Sequence, residues 1–152
     1  MINYIKGNVF DSKDQVLVHG CNCFQRMGAG IAKKVKELYP EAYQADVENT
    51  SYADRGKLGT ITHAAVKHVI HKTPLIVVNA YTQYNYATTS MMLDYGALRT
   101  AMYKIATLFG DKSISMPKIG AGLAGGDWKQ IETILNDVFK NKIINVYYTD
   151  GE

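Results

Sequence analysis

The sequence predicts an α/β domain with a mostly parallel sheet and helices on both of its faces. Three observations lead there. Short aliphatic runs alternate along the chain with longer stretches of helical periodicity, the pattern of repeated strand–helix units. One run, Leu75 to Ala80, is apolar almost throughout, as a strand buried on both faces must be. Two glycine-bearing segments each join a strand to a helix, and in open α/β sheets ligands bind at such connections, beyond the carboxyl ends of the strands.

The elements follow in order. Ile2 to Ile5 alternates and reads as the first strand. Gln15 to His19 is a short apolar run ended by Gly20, so a buried second strand. Gly28-Ala-Gly30 opens a helix carrying Ile31, Val35 and Leu38, at spacings of four and three residues. Pro40 restarts it, and a second helical piece runs from Glu41 to about Asn49. Gly59 to Val66 reads as the third strand and Leu75 to Ala80 as the fourth. From about Leu93 to Phe109, the residues Leu98, Ala101, Met102, Ile105 and Leu108 form one helical stripe, ended by Gly110. Ser113 to Met116 is the fifth strand. Trp128, Ile131, Ile134, Leu135 and Val138 form the stripe of the last helix, with Asp127 at the N-cap position. Ile143 to Tyr148 is the sixth strand.

The 152 residues and 16.9 kDa suit one domain spanning residues 1–152. An apolar content of 47% excludes a disordered chain, and 3 prolines with 13 scattered glycines exclude collagen-like or low-complexity architecture. The formal charge of +3 suits an anionic small ligand and is too small to argue for nucleic acid by itself. No targeting pattern or membrane span is read, so a cytoplasmic monomer is expected. Cys21 and Cys23 are one residue apart, too close for an unstrained disulfide, so free thiols and a reducing compartment are expected. His19, Cys21 and Cys23 would share one face if the second strand continued, but a zinc site would need more ligands, and His63, His68 and His71 have no metal-ligand spacing, so the expectation is no metal and no cofactor.

The chemistry concentrates in the two loops. The first runs from Gly20 to Ile31, through Asn22, Met27, Gly28 and Gly30. The second runs from Pro117 to Asp127, through Gly120, Ala121, Gly122, Leu123 and Ala124. Glycine lets backbone approach a ligand closely, and free N–H groups at a helix start hold phosphate oxygens. Facing each other, two such loops would clamp a diphosphate. Neither is a P-loop, and Gly120-x-Gly122-x-x-Gly125 lies too near the end of the sequence for a dinucleotide-binding unit.

Together these residues resemble the macrodomain family of ADP-ribose binders. The resemblance is carried by Lys6-Gly-Asn-Val-Phe10, His19-Gly-Cys-Asn22, Met27-Gly-Ala-Gly-Ile-Ala32, Met116-Pro-Lys-Ile-Gly-Ala-Gly-Leu123 and Val146-Tyr-Tyr148. It is nearest to the branch of ADP-ribose 1″-phosphate phosphatases and of hydrolases releasing ADP-ribose from glutamate or DNA. It implies a three-layer α/β/α domain with a mixed, mostly parallel six-strand sheet. It implies a ligand, ADP-ribose or a derivative, across the carboxyl-end crest. By position, Asn8 and Val9 would meet adenine and Asn22 the distal ribose. Met27, Gly28, Gly30 and Ile31 would cover the diphosphate. Pro117, Gly120, Ala121, Gly122, Leu123 and Ala124 would form the phosphate loop, and Tyr148, or else Tyr147, would pack on adenine or its ribose.

Two departures bear on chemistry. The resemblance implies that hydrolases of this branch use a lysine after the fourth strand and often an aspartate just after the Gly-x-Gly-Leu. Here the stretch Tyr81 to Tyr86 has no lysine, and Ala124 follows Leu123. Asp127 and His19 are the remaining candidates for proton transfer, beside their structural readings as helix N-cap and core histidine. The expected activity is therefore phosphate removal from ADP-ribose 1″-phosphate, with Asn22, Asp127 and His19 as catalytic candidates. An ADP-ribosyl hydrolase acting on modified protein or DNA is the second reading. A module that only binds ADP-ribose or a related nucleotide is the third.

Overall fold

In the computed structural model, β2 (Val16–Cys21) and β4 (Pro74–Tyr81) lie side by side in parallel, with Val16 opposite Ile76 and Cys21 opposite Tyr81. Residues 1–86 and 91–152 are described. Outward from β2 follow β5 (Ile114–Pro117), β6 (Ile144–Tyr148) and β1 (Ile2–Lys6), all parallel. On the other side β3 (Ile61–Lys67) pairs antiparallel with β4. The order is β1-β6-β5-β2-β4-β3, the mixed, mostly parallel six-strand sheet expected. The burial of β3 alternates along its length, as an edge strand with one solvated face requires.

Two helices cover each face. α3 (Tyr95–Phe109) and α4 (Trp128–Val138) bury Leu98, Met102, Ile105, Ile131 and Leu135 against Val16, Val78 and Ile144. α1 (Gly30–Leu38) and α2 (Pro40–Asn49) bury Val35, Tyr39 and Ala42 against Leu17, Leu75 and Val77. Pro40 occupies the first turn of α2, where its missing N–H costs nothing.

One stripe position changes. Leu108 is 56% exposed, and Phe109 is buried in its place. At about 100° per residue, Phe109 returns to within ~20° of Leu98, whereas Leu108 lies ~80° away. The start of α3 also moves from Leu93 to Tyr95. Asp94 caps the helix by accepting from Ala97 N at 2.9 Å, and Leu93 becomes a core residue beneath the second loop.

No helix of the described residues is long and apolar enough to cross a membrane. Both cysteines are buried free thiols.

Candidate functional site

The carboxyl ends of β2, β4 and β5 open into one cavity of about 450 Å³. That volume is within the range of small-molecule sites. Its walls are the two glycine loops and the chain after β4.

Asn22 shapes the first loop. Its Oδ1 accepts from Phe24 N at 2.9 Å, and its Nδ2 donates to Arg26 O at 2.9 Å. This Asx turn sends the chain back across the cavity to Gly28. Helix α1 then starts at Gly30 with no side-chain cap on Ala29. An uncapped helix start presents unsatisfied N–H groups and the positive end of the helix dipole. Gly28, Gly30 and Ile31 of that start line the cavity.

The second loop is drawn tight by its own backbone. Gly126 N donates to Gly120 O at 2.8 Å and Gly125 N to Gly122 O at 3.0 Å. Gly120 has φ +80°, and a Cβ there would stand 2.9 Å from Leu93 Cδ1, so only glycine fits this turn. Gly122 differs, since a Cβ there would meet nothing within 4 Å. Among the described residues, the N–H groups of Gly122, Leu123 and Ala124 donate to no protein acceptor. A row of free backbone donors beside an uncapped helix start has the donors and the dipole that suit an anion.

The third wall is Thr82, Gln83 and Tyr86, after β4. Thr82 Oγ1 is the buried side-chain polar atom left without a partner among the described residues. Three charged side chains line the cavity: Arg26, Lys118 and Glu152. Two cations against one carboxylate suit an anionic ligand.

Residues 18–135 match the Macro domain family. The chain belongs to the Macro domain family. A protein of Enterobacteria phage T4 described as an uncharacterized 17.5 kDa protein is 32% identical over 94% of this chain and 92% of its own length. The ADP-ribose 1″-phosphate phosphatase of Meyerozyma guilliermondii is 26% identical over 96% of this chain and 97% of its own. The DNA ADP-ribosyl glycohydrolase of Mycobacterium bovis is 27% identical over 92% of this chain, which covers only 39% of that longer protein. A solved structure of a protein from Bacteroides thetaiotaomicron superposes with TM-score 0.79 at 28% identity, covering 98% of both chains.

Within this macrodomain the cavity gathers Asn22, Gly28, Gly30, Ile31, Pro117, Gly120, Gly122, Leu123 and Ala124 from the expected set. It also takes in Gln83 and Tyr86. Five expected residues stand outside the lining. Val9 and Met27 are core side chains. Ala121 packs on the larger core. Asn8 caps the short 3-10 turn Val9–Asp11, accepting from Phe10 N at 2.9 Å. Tyr148 lies beside Lys118, whose Nζ is 5.7 Å from its ring centre and 5.7 Å from that of Trp128.

Two of the catalytic candidates, Asp127 and His19, likewise stand outside the lining. Asp127 is the N-cap of α4, its carboxylate accepting from Lys129 N at 3.1 Å, and is not part of the cavity wall. His19 is 1% exposed on β2, with Nε2 2.6 Å from Asn79 Oδ1. Asn79 Nδ2 already donates to Ala42 O and Thr62 Oγ1, so Oδ1 accepts and His19 Nε2 carries the proton. Burial lowers the His19 pKa to about 4, which keeps the imidazole neutral. Asn79 extends this buried polar chain through Thr62 and Tyr81 to Asp46, which pairs with Lys57 at 3.2 Å. The thiol of Cys21 borders the cavity, and burial holds its pKa well above the usual value. That makes it a poor nucleophile.

Sequence reasoning missed Arg26, Lys118, Thr82 and Glu152 as cavity residues. Arg26 and Lys118 sit within the two loops, one residue before Met27 and one after Pro117, where their charge could have marked them. Glu152 had no local signal, because only the turn Thr149–Glu152 swings it to the cavity.

Proposed function

We propose that this macrodomain binds ADP-ribose across the cavity and hydrolyses ADP-ribose 1″-phosphate to ADP-ribose and inorganic phosphate. The observation that carries the reading is the facing of two sets of free backbone N–H groups, at the start of α1 and in the Gly122–Ala124 segment, across one cavity. The similarity to the fungal phosphatase, which extends over almost the whole of both chains, supports the same reaction.

The ligand lies with its distal ribose toward Asn22, Gln83 and Tyr86 and its adenosine toward the β6 side, near Lys118 and Glu152. Water attacks phosphorus, the bond from phosphorus to the 1″ oxygen breaks, and the electron pair leaves on that oxygen, which takes up the proton the attacking water gives up. Phosphoryl transfer relies mainly on positioning and charge stabilisation. Backbone donors and the cations Arg26 and Lys118 supply both. Asn22 holds the loop and keeps one amide hydrogen for the ligand. His19 and Asp127 take no part.

Release of ADP-ribose from glutamate or DNA is the second reading, and the similarity to the mycobacterial glycohydrolase favours it. Against it, Gln83 and Ala124 border the cavity, and by the resemblance they stand in the stretch where a lysine, and at the position where a carboxylate, would be expected. The deciding experiment offers one preparation ADP-ribose 1″-phosphate, ADP-ribosylated glutamate and ADP-ribosylated DNA, and follows phosphate and free ADP-ribose. Phosphate release with little or no demodification is expected. Rapid demodification without phosphate release overturns the reading. Tight ADP-ribose binding with no turnover reduces it to the binding module.

A further inference from the structure

Beyond the cavity mouth, four aromatic rings and two arginines form one continuous surface. Phe24 stands at its centre, edge-on to three tyrosines. Its ring centre is 4.9 Å from that of Tyr84, 5.5 Å from Tyr52 and 5.7 Å from Tyr86. Two guanidinium groups stack on the rings. Arg55 lies 3.8 Å over Tyr84 and Arg26 lies 4.7 Å over Tyr86. Tyr52 is 63% exposed and Tyr86 is 44% exposed.

This surface is built rather than incidental. Tyr84 OH donates to Ala53 O at 3.0 Å, and Cys23 N donates to Tyr84 O at 2.9 Å. Arg26 Nη2 donates to Tyr86 OH at 3.3 Å. Neither Arg26 nor Arg55 joins any ion pair among the described residues, and they are two of the chain's three arginines. Asp54, the acid next to Arg55, turns its carboxylate to its own backbone, accepting from Gly56 N at 2.8 Å.

Exposed rings interleaved with unpaired guanidinium groups are the chemistry of a nucleobase platform. Bases stack on ring and guanidinium faces while the cations meet the phosphates between them. A folded protein partner would instead call for an aliphatic patch with a polar rim, and among the described residues the centre of this surface is the aromatic ring of Phe24. The net charge of +3 says nothing for nucleic acid, whereas this local arrangement does. It also joins the cavity at Arg26 and Tyr86, which belong to both.

We propose that the Phe24–Tyr52–Tyr84–Tyr86 surface, with Arg26 and Arg55, binds single-stranded nucleic acid, stacking its bases beside the mouth of the ADP-ribose cavity. This goes beyond the phosphatase reading and does not depend on turnover.

The test is fluorescence anisotropy of the full chain with labelled 12-nucleotide dT, dA and U strands, at low and moderate salt. Tyr52 and Arg55 stand outside the cavity, so their variants leave ADP-ribose titration as an independent control. The protein is expected to bind single strands of any base, more weakly as salt rises. Tyr52→Ala is expected to weaken binding about 5- to 150-fold, the range of one stacked base. Arg55→Ala is expected to weaken binding and flatten the salt slope by about 0.7, one phosphate contact. Both variants should keep the wild-type melting temperature and ADP-ribose affinity. The proposal is overturned if wild type binds no strand, if the variants bind like wild type, or if duplex DNA or a poly-glutamate peptide binds as tightly as the single strands. Strand binding without ADP-ribose binding would leave this proposal standing and remove the phosphatase reading.

Discussion

Leu123 of the second loop lies against Gly30 of the first, so close that a Cβ on Gly30 would stand 3.1 Å from Leu123 Cδ1. Gly30 also has φ +59°, a conformation costing an L-residue roughly 1–2 kcal/mol. The two loops therefore touch above the cavity through a glycine that cannot be replaced cheaply. Gly30→Ala is expected to lower the melting temperature by several degrees and to weaken ADP-ribose binding, because the loops must part. Leu123 is 54% exposed, so Leu123→Ala should change stability by less than about 0.5 kcal/mol while weakening ADP-ribose about fivefold, the worth of about 1 kcal/mol of lost apolar contact. Thermal melts and calorimetric titration of both variants check the pair.

Gly122 and Gly120 are two residues apart and should respond in opposite ways. A side chain at Gly122 meets open space, so Gly122→Glu should fold normally. Its carboxylate would enter the phosphate path and abolish ADP-ribose binding. Gly120→Ala should instead destabilise the fold, by about 1–3 kcal/mol for strain and overpacking against Leu93. Denaturant unfolding beside ADP-ribose titration separates the two effects.

Asp127 should behave as a helix cap. Asp127→Asn is expected to leave both stability and phosphate release unchanged, since the two residues cap equally well. Asp127→Ala should cost about 1 kcal/mol. A fall in kcat of about 10²-fold or more in the Asn variant, with the fold intact, would return Asp127 to proton transfer.

His19 makes stability depend on pH. Its folded pKa is lowered by burial from 6.5 to about 4, so between those values the unfolded chain binds more protons than the folded one. Stability then rises with pH across that window and falls as pH drops from 6.5 toward 4. The full effect is about 3 kcal/mol, to order of magnitude. His68, lowered mainly by its burial, adds in the same direction. Melting temperatures from pH 4 to 7 should slope upward, and His19→Gln should flatten part of that slope.

The buried pair of Lys57 and Asp46, with side chains 4% and 1% exposed, gives a last test. Lys57→Met strands a carboxylate that also accepts from Tyr81 OH. A loss of about 3–5 kcal/mol is expected in denaturant unfolding. Asp46→Asn likewise strands the Lys57 ammonium and should also destabilise, although a neutral amide can still accept from Tyr81.

The strand and helix order was legible in the sequence because short buried strands and amphipathic helices leave different periods. The two loops were legible for a related reason, since positive φ and close approach restrict which residues fit, and Gly30 and Gly120 carry that restriction openly. Asp127 was legible as a cap, from its place just before the apolar stripe of α4. Residue identity could not say which side chains reach the cavity. Val9, Met27 and His19 stand among motif residues, yet local backbone direction turns them into the core. Arg26, Thr82 and Glu152 arrive at the cavity from three separate segments. The Arg55–Tyr84 stack and the Phe24 cluster join residues up to 62 positions apart in sequence, brought together because β2 and β4 are neighbours in the sheet. Local sequence determines φ, period and cap. Only the packing of distant strands decides which charges and rings share one surface.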